Sequence, residues 1–494
     1  VRHNIVANFS GKAWATVLNL AFVPLYINLL GVEIYGLLGV LTSLTALLSL
    51  LDMGLSATLS RELSRLAEEP GSGQQSRDLV RTLETIYAGI GLLLGFAIAV
   101  FAPFIARHWI NTNVADHELV ESTLRIMGVA IAVQWPASLY GGALMGLQRQ
   151  VELNIVRSLM AMLQHGGAIA VLLLVSRSVV AFFLWQALVG LITTVFLAMC
   201  LWKLLPASAE SSKFDKSLLV ERRQFAMGVT GISVVTIVLT QFDKIILSKM
   251  LTLEMFGYYM LAFNVANALH NLVTPISAAL LPKFTQLAAL GEKAKLAELY
   301  HKGCQLLSVL VLPVSTTVAF FSKEVLSLWL NNAEAVEHAH RILTLLMIGT
   351  ALNALMTLPY TLQLAHGWTK LAFYKNLVAV IVLIPLMIWM VTMYQGIGAA
   401  WAWIILNLGY LVSEVPIMHQ HLLKGEMGSW YRRDIMLPIS LVAIIGLVSR
   451  LAMPEEGSRA LVFSVILLAL ILSFTTAMLA SDRLSLRLVK IKSL

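Results

Sequence analysis

Ionisable side chains set inside long apolar runs are the residues of this chain best placed to do chemistry. Asp52 stands in "LLDMGLSATLSR", Asp243 and Lys244 in "QFDKIILS", Glu414 in "LVSEVPIM", and His165 and His270 in stretches that are otherwise mainly apolar. A charge in hydrocarbon costs about 2.5 to 3.5 kcal/mol on insertion scales, so each must lie at an edge, be paired, or face a wet cavity. Asp52, Asp243, His165 and His270, with Lys244 beside Asp243, are therefore candidates for binding a proton or a coupling ion. The competing reading is an interhelical hydrogen bond for Asp52, Glu414 and the histidines, and a stem reaching the outer interface for Lys244. On one continuous helix Asp52 and Arg61 would be ~14 Å and half a turn apart and could not pair. A second set, Lys12, Arg61, Arg149, Lys370 and Lys375, falls at the ends of apolar runs, where cations could receive a phosphate. Solvated residues on the positive side of a membrane would look the same.

The elements that position these groups follow from composition. With 58% hydrophobic and 13% charged residues in 494, the chain is too apolar for water-soluble domains. A spanning helix takes ~20 apolar residues, which allows about fourteen of them. Runs such as "AGIGLLLGFAIAVFAPFIA" do not alternate, which excludes a barrel. Spans are expected near 13–30, 37–58, 84–106, 124–147, 158–176, 178–202, 225–247, 256–281, 304–322, 342–365, 377–394, 396–422, 435–452 and 461–480. Most of the 35 Lys and Arg fall on the side of the N-terminus, which places both termini in the cytoplasm. The net charge of +8 is then a record of topology, and nucleic-acid binding is not expected. "VRHNIVANFSGK" lacks a small-residue cleavage site, so no cleavable leader is expected before the first span. Cys200 and Cys304 read as small hydrophobes; no disulfide, metal or cofactor is indicated.

"VEIYG" at Val32–Gly36 is echoed by "LEMFG" at Leu253–Gly257, an offset of 221. The same offset carries Gly146 and Arg149 of "GLQR" onto Gly367 and Lys370 of "GWTK". Six spans separate the copies, so they insert with the same sense, as in transporters built from parallel repeats around a central cavity. Residues 1–202 and 225–423 are expected to form two six-helix bundles, joined by a cytoplasmic linker at 203–224, with two extra helices in 424–494. In the repeated motif Gly is expected to end a tight loop, the aromatic to anchor at the headgroup level, and Glu33 or Glu254 to stay in water or cap the next helix.

"PLYINLLGVEIYGLLGVLTSLTALLSLLDMGLS", "ALMGLQRQVELN" and "QFDKIILSKMLTLEMFGYYMLAFN" resemble the polysaccharide transporter family, the Wzx-type flippases. Their superfamily also holds multidrug exporters and peptidoglycan-precursor flippases. The resemblance runs over residues 4–422 and implies an all-α polytopic fold in the bacterial inner membrane. It further implies transfer of a polyprenyl-diphosphate-linked sugar repeat, O-antigen or exopolysaccharide, across the bilayer by alternating access. A cationic lumen and proton or ion coupling are implied too, with polymerase and chain-length machinery as partners. Peptidoglycan-precursor flippases carry arginines in their first span; here only Lys12 stands at its inner edge, so that chemistry is not carried over. No phosphate-binding G-x-x-x-x-G-K-[ST] loop or zinc pattern occurs, and no outer loop could shelter a polymerase or ligase site, so an enzyme is not expected. The nearer alternative is a cation-coupled multidrug exporter of the same superfamily.

Overall fold

The computed structural model describes residues 2–67, 69, 71–112, 117–206, 208, 210–215, 240–454 and 457–481, without the side chains of 2–10, 12 and 13. The expected span at 225–247 thus lies largely outside the described residues; 240–250 is helical.

Lipid offers the backbone no hydrogen bonds, so apolar runs of this length close their own. Among the described residues regular structure is accordingly helical, with one isolated bridge between Asn111 and Thr252. The first compact unit, Val1–Gly257, holds α1 (Arg2–Leu30), α2 (Val32–Leu48), α3 (Leu55–Leu66), α4 (Gly73–His108), α5 (His117–Gly146), α6 (Gln150–Leu174) and α7 (Val179–Leu204). α8 (Leu253–Asn267) begins in it and continues into the second unit, Tyr258–Leu494. That unit adds α9 (His270–Ala289), α10 (Lys293–Phe320), α11 (Ser322–Trp329), α12 (Ala333–Leu355), α13 (Thr357–Ala365), α14 (Lys370–Leu422), α15 (Leu437–Leu451) and α16 (Arg459–Leu479). Nine of the described helical segments are long and apolar enough to cross a membrane, and Trp14–Leu30 is a shorter apolar one.

In the first unit α4 packs on α5, α5 on α7, α3 on α5, and α1 on α6. Leu63, Leu83, Tyr87, Leu139, Leu144 and Leu201 form part of its core. The opposite face of α4 presents Leu92, Phe96, Val100 and Phe104 outward, each more than half exposed, as a surface bathed in hydrocarbon requires. In the second unit α12 packs on α14 and α10, while α15 and α16 pair with each other and lie on α10.

Helix interruptions carry the architecture. The expected continuous span 37–58 is not continuous: Ser49–Asp52 forms a 3-10 turn, Met53 and Gly54 take positive φ of 46° and 67°, and α3 starts afresh at Leu55. Asp52 and Arg61 therefore do not share a helix. α12 stops at Leu355, the residue whose carbonyl would need the N–H that Pro359 lacks. α14 bends at Gln395, with φ 51° and ψ −135°, between the expected spans 377–394 and 396–422.

Candidate functional site

Two helix starts keep the offset of the repeated motif. α2 begins at Val32 and α8 at Leu253, the sequence offset of 221, and both are interrupted about four turns later, at Ser49–Gly54 and at Ala268–Leu269. Two of the expected proton sites sit at these breaks, Asp52 in the first and His270 at the start of α9 in the second. Irregular backbone at membrane depth is tolerated where it is buried in protein or lines a water-filled cavity. Asp52 is held as an acceptor: Ser56 Oγ donates to Oδ2 at 2.9 Å and the Tyr87 hydroxyl donates to Oδ1, tying the break to α4. The His270 ring makes no hydrogen bond to another described residue.

The repeated Glu-aromatic-Gly motif does not build a loop. Gly31, with φ 87°, makes the turn, while Gly36 and Gly257 lie inside α2 and α8, and the Tyr35 and Phe256 side chains are buried in the protein. A Cβ on Gly36 would collide with the carbonyl oxygen of Leu253, and a Cβ on Gly257 with that of Val32. Each contact maps onto the other by the same offset, so it is a reciprocal pairing of the two copies, within the first unit. The segment after α4 closes over it: Thr112 Oγ1 donates to Glu33 Oε1 at 2.6 Å, and the Leu253 N–H donates to Asn111 O at 2.6 Å.

α6 lines up Gln150, Asn154, Arg157, Gln164 and His165 along one side at helical spacing. His165 Nδ1 lies 2.9 Å from the Tyr26 hydroxyl of α1, with Phe22 stacked on the ring at 5.5 Å. Gln164 donates to Gln186 Oε1 of α7 at 2.5 Å. Arg157 escapes sequence reasoning because the span is expected to start at 158, which assigns it to the loop. In the structure it is within α6, its guanidinium against Gly141 of α5, where a Cβ would stand 2.8 Å from Nη2. No described residue pairs with it by ion pair or hydrogen bond. The signal that could have found it is the polar stripe at positions 150, 154, 157 and 164.

The remaining expected residues are dispersed. Lys12 lies in α1, its side chain outside the described residues. Arg61 is on the outer face of α3 and has a partner. Arg149 starts α6 and pairs with Glu152 at 3.1 Å, and Lys370 is exposed at the start of α14. Lys244 is buried and does not reach an interface: Nζ donates to Asp243 Oδ1 at 3.1 Å and to Thr240 O at 2.8 Å. Lys375 is not a free cation at a mouth. Its Nζ donates to Glu414 Oε2 at 2.7 Å and lies 4.2 Å over the Tyr410 ring, while Gln363 Nε2 donates to Glu414 Oε1 at 2.7 Å. Glu414 is thus the interhelical acceptor that binds α13 and both arms of α14, and Gln363 Oε1 remains buried without a partner.

A polar, doubly interrupted membrane bundle of this kind has relatives. The sequence profile described as "Polysaccharide biosynthesis protein" matches residues 1–288, more than half of the chain. The chain belongs to that family. A Shigella flexneri protein named, provisionally, as an O-antigen transporter is 21% identical over 404 residues, 81% of this chain and 93% of the relative. The amylovoran biosynthesis protein AmsL of Erwinia amylovora is 24% identical over 259 residues, 50% of this chain and 64% of the relative. Among solved structures, the lipid II flippase MurJ in an inward closed conformation has the same fold, with TM-score 0.75 at 14% identity over 97% of this chain and 99% of that one. An inward-facing multidrug transporter of the MATE family covers 82% of this chain and 95% of its own, with TM-score 0.59 at 15% identity. Family membership and fold agree with the resemblance in the sequence: this is an all-α polytopic transporter of the Wzx type.

Proposed function

We propose that the chain is a flippase that moves polyprenyl-diphosphate-linked oligosaccharide repeat units, of the O-antigen or exopolysaccharide kind, across the bacterial inner membrane by alternating access. The observation that carries this reading is the extent of the fold match. The likeness to the lipid-linked-precursor flippase runs through the final helix pair, α15 and α16, whereas the multidrug transporter covers 82% of the chain. The first of those helices, α15, also closes one side of an apolar groove of about 310 Å³ in the second unit, lined mainly by α10 and α12 through Leu312, Ile348 and Leu355, with Ile439 and Ala443 from α15, which suits a prenyl chain. Within the first unit Arg61, Arg149 and Arg157 are the cations we assign to the diphosphate and acidic sugars; in the second, Lys370 is a separate candidate, and Lys375 is one only if Glu414 releases it. The bundle repeats are 1–202 and 225–423, with both termini cytoplasmic, which places the reciprocal Gly36 and Gly257 contact at the periplasmic end.

The test is complementation. A strain lacking its own flippase, supplied with this gene, is expected to regain surface polysaccharide. Resistance to cationic drugs without polysaccharide would replace the reading with that of an exporter.

A further inference from the structure

Near the start of α10 a polar cluster lies in the second unit, buried at one end and open to solvent at the other. His301 is 0% exposed and sits between two carboxylates. Its Nδ1 faces Asp434 Oδ2, and its Nε2 lies 3.0 Å from Glu426 Oε2. Gln305 Nε2 donates to Asp434 Oδ1 at 3.1 Å, and Ser308 Oγ donates to the Asp434 backbone carbonyl at 2.6 Å. Asp434 is buried in a π-helical turn, Trp430–Met436, that leads into α15; π-turns are rare and recur at functional positions. Glu426, by contrast, keeps 36% of its side chain exposed.

Counting protons makes the arrangement informative. A neutral imidazole has one N–H and one lone pair, and an ionised carboxylate is an acceptor alone. With both carboxylates ionised and the ring neutral, one ring nitrogen would point its lone pair at a carboxylate oxygen. Two hydrogen bonds therefore need two protons among three groups: an imidazolium between two carboxylates, or a neutral ring with one carboxylic acid. Among the described residues no Lys or Arg pairs with Asp434 or Glu426, so the second proton is what balances the buried charge. Nor is the cluster arranged to hold a metal ion.

An independent observation marks the same place as polar. Among the described residues the buried Tyr300 hydroxyl, His419 Nε2 and Trp430 Nε1 have no oxygen or nitrogen partner, Tyr300 and Trp430 meeting only the Cys304 sulfur. Their rings adjoin, Tyr300 to His301 at 5.4 Å, Tyr300 to His419 at 5.7 Å and His419 to Trp430 at 5.8 Å. The Cys304 thiol beside Tyr300 and Trp430 is at most a weak acceptor. Buried polar atoms of this kind are ordinarily satisfied by ordered water.

We propose that His301, Asp434 and Glu426 form a proton-binding site. Protonated, the cluster ties the Glu426 turn to α10. On losing one proton, one of the two ring contacts becomes repulsive; Glu426, the exposed partner, turns to water, while Asp434 stays with Gln305 and Ser308. The proton leaves through Glu426 to solvent, no bond to carbon changes, and the Glu426 end of the turn is released from α10 while its Asp434 end stays anchored. Asp434, Glu426 and Tyr300 adjoin the ring itself; around them stand Gln305 on Asp434, Cys304 beside Tyr300 and Trp430, His419 of α14 against Tyr300 and Trp430, and Tyr431 against Trp430. Lys302 is engaged with Glu298, and Arg432 and Arg433 are exposed. In the flippase reading this proton is the coupling ion; that statement rests on the reading above, and the proton site does not.

The experiment uses the full chain in liposomes with 13C-labelled histidine. Infrared difference spectra are recorded as the pH is stepped between about 5 and 9, a range that covers perturbed histidines and carboxyls. Hydrogen exchange of residues 424–436 is followed in parallel. Wild type is expected to show one imidazole–carboxyl transition that Glu426→Gln and His301→Gln both lack, with the turn opening as the transition proceeds. Glu426→Gln changes an exposed position, so it reports even if His301→Gln does not fold. Identical titration of wild type and Glu426→Gln, or a turn whose exchange ignores the transition, overturns the site. Lost titration with export restored in the complemented strain leaves the flippase reading standing; a titrating site without export leaves the proton site and removes that reading.

Discussion

Replacing Gly36 by alanine brings a Cβ inside contact distance of the Leu253 carbonyl oxygen and 3.1 Å from Leu253 Cδ1. Gly257→Ala does the same against the Val32 carbonyl, with Val32 Cγ1 2.8 Å away. Non-bonded heavy atoms settle near about 3.5 Å, so α2 and α8 must part by roughly 1 Å where they start. Overpacking of this size costs about 1–3 kcal/mol. If the contact is made in only one of two alternating states, each variant depletes that state by about 5-fold to 150-fold. Either new Cβ forces the same separation, so the double variant is expected to cost less than the sum of the singles, with a coupling on the order of 1 kcal/mol or more. The assay is polysaccharide export in the complemented strain at matched protein level. It is paired with maleimide labelling of Ser43→Cys, a buried position on α2, in a chain whose Cys200 and Cys304 are replaced by alanine. Export is expected to fall and labelling to rise in both single variants. Wild-type behaviour of both, or losses that add in full, would refute a reciprocal contact that opens and closes.

Three further outcomes follow from individual contacts. Tyr87→Phe removes a donor to Asp52 at the break between α2 and α3, and is expected to lower resistance to denaturant unfolding by about 1–3 kcal/mol. Glu414→Gln leaves the Lys375 ammonium without its carboxylate inside α14, a loss of about 3–5 kcal/mol that Lys375→Met in the same chain should largely restore; thermal unfolding in detergent checks both. Arg157→Ala and Arg149→Ala are expected to reduce export by tenfold or so at normal protein levels, about the worth of one charge-assisted bond, while the half-exposed Arg149–Glu152 pair adds under about 1 kcal/mol to stability. Full export by both arginine variants would take these cations off the substrate path.

The sequence alone determined the solvent and the helical architecture, and supplied the offset on which the proposed repeat rests. Run length against bilayer thickness, the lack of alternation and a recurring offset are local or additive properties, readable without knowing any contact. The span ends at Gly146–Arg149 and Gly367–Lys370 were legible from where the apolar runs stop, and in the structure Gln148 and Gly367 take positive φ there. Partnership was not legible. Lys375 finds Glu414 39 residues on, and His301 finds Asp434 133 residues on. Spacing along one helix says nothing about which neighbour another helix presents. The break after Asp52 was hidden too, because "LLDMGL" is apolar enough to continue a span and only packing against α4 and α5 shows where it stops. Tertiary structure likewise decided what the repeated glycines do: a missing Cβ reads as a turn in sequence, and becomes a close helix approach only when the opposing carbonyl is in place.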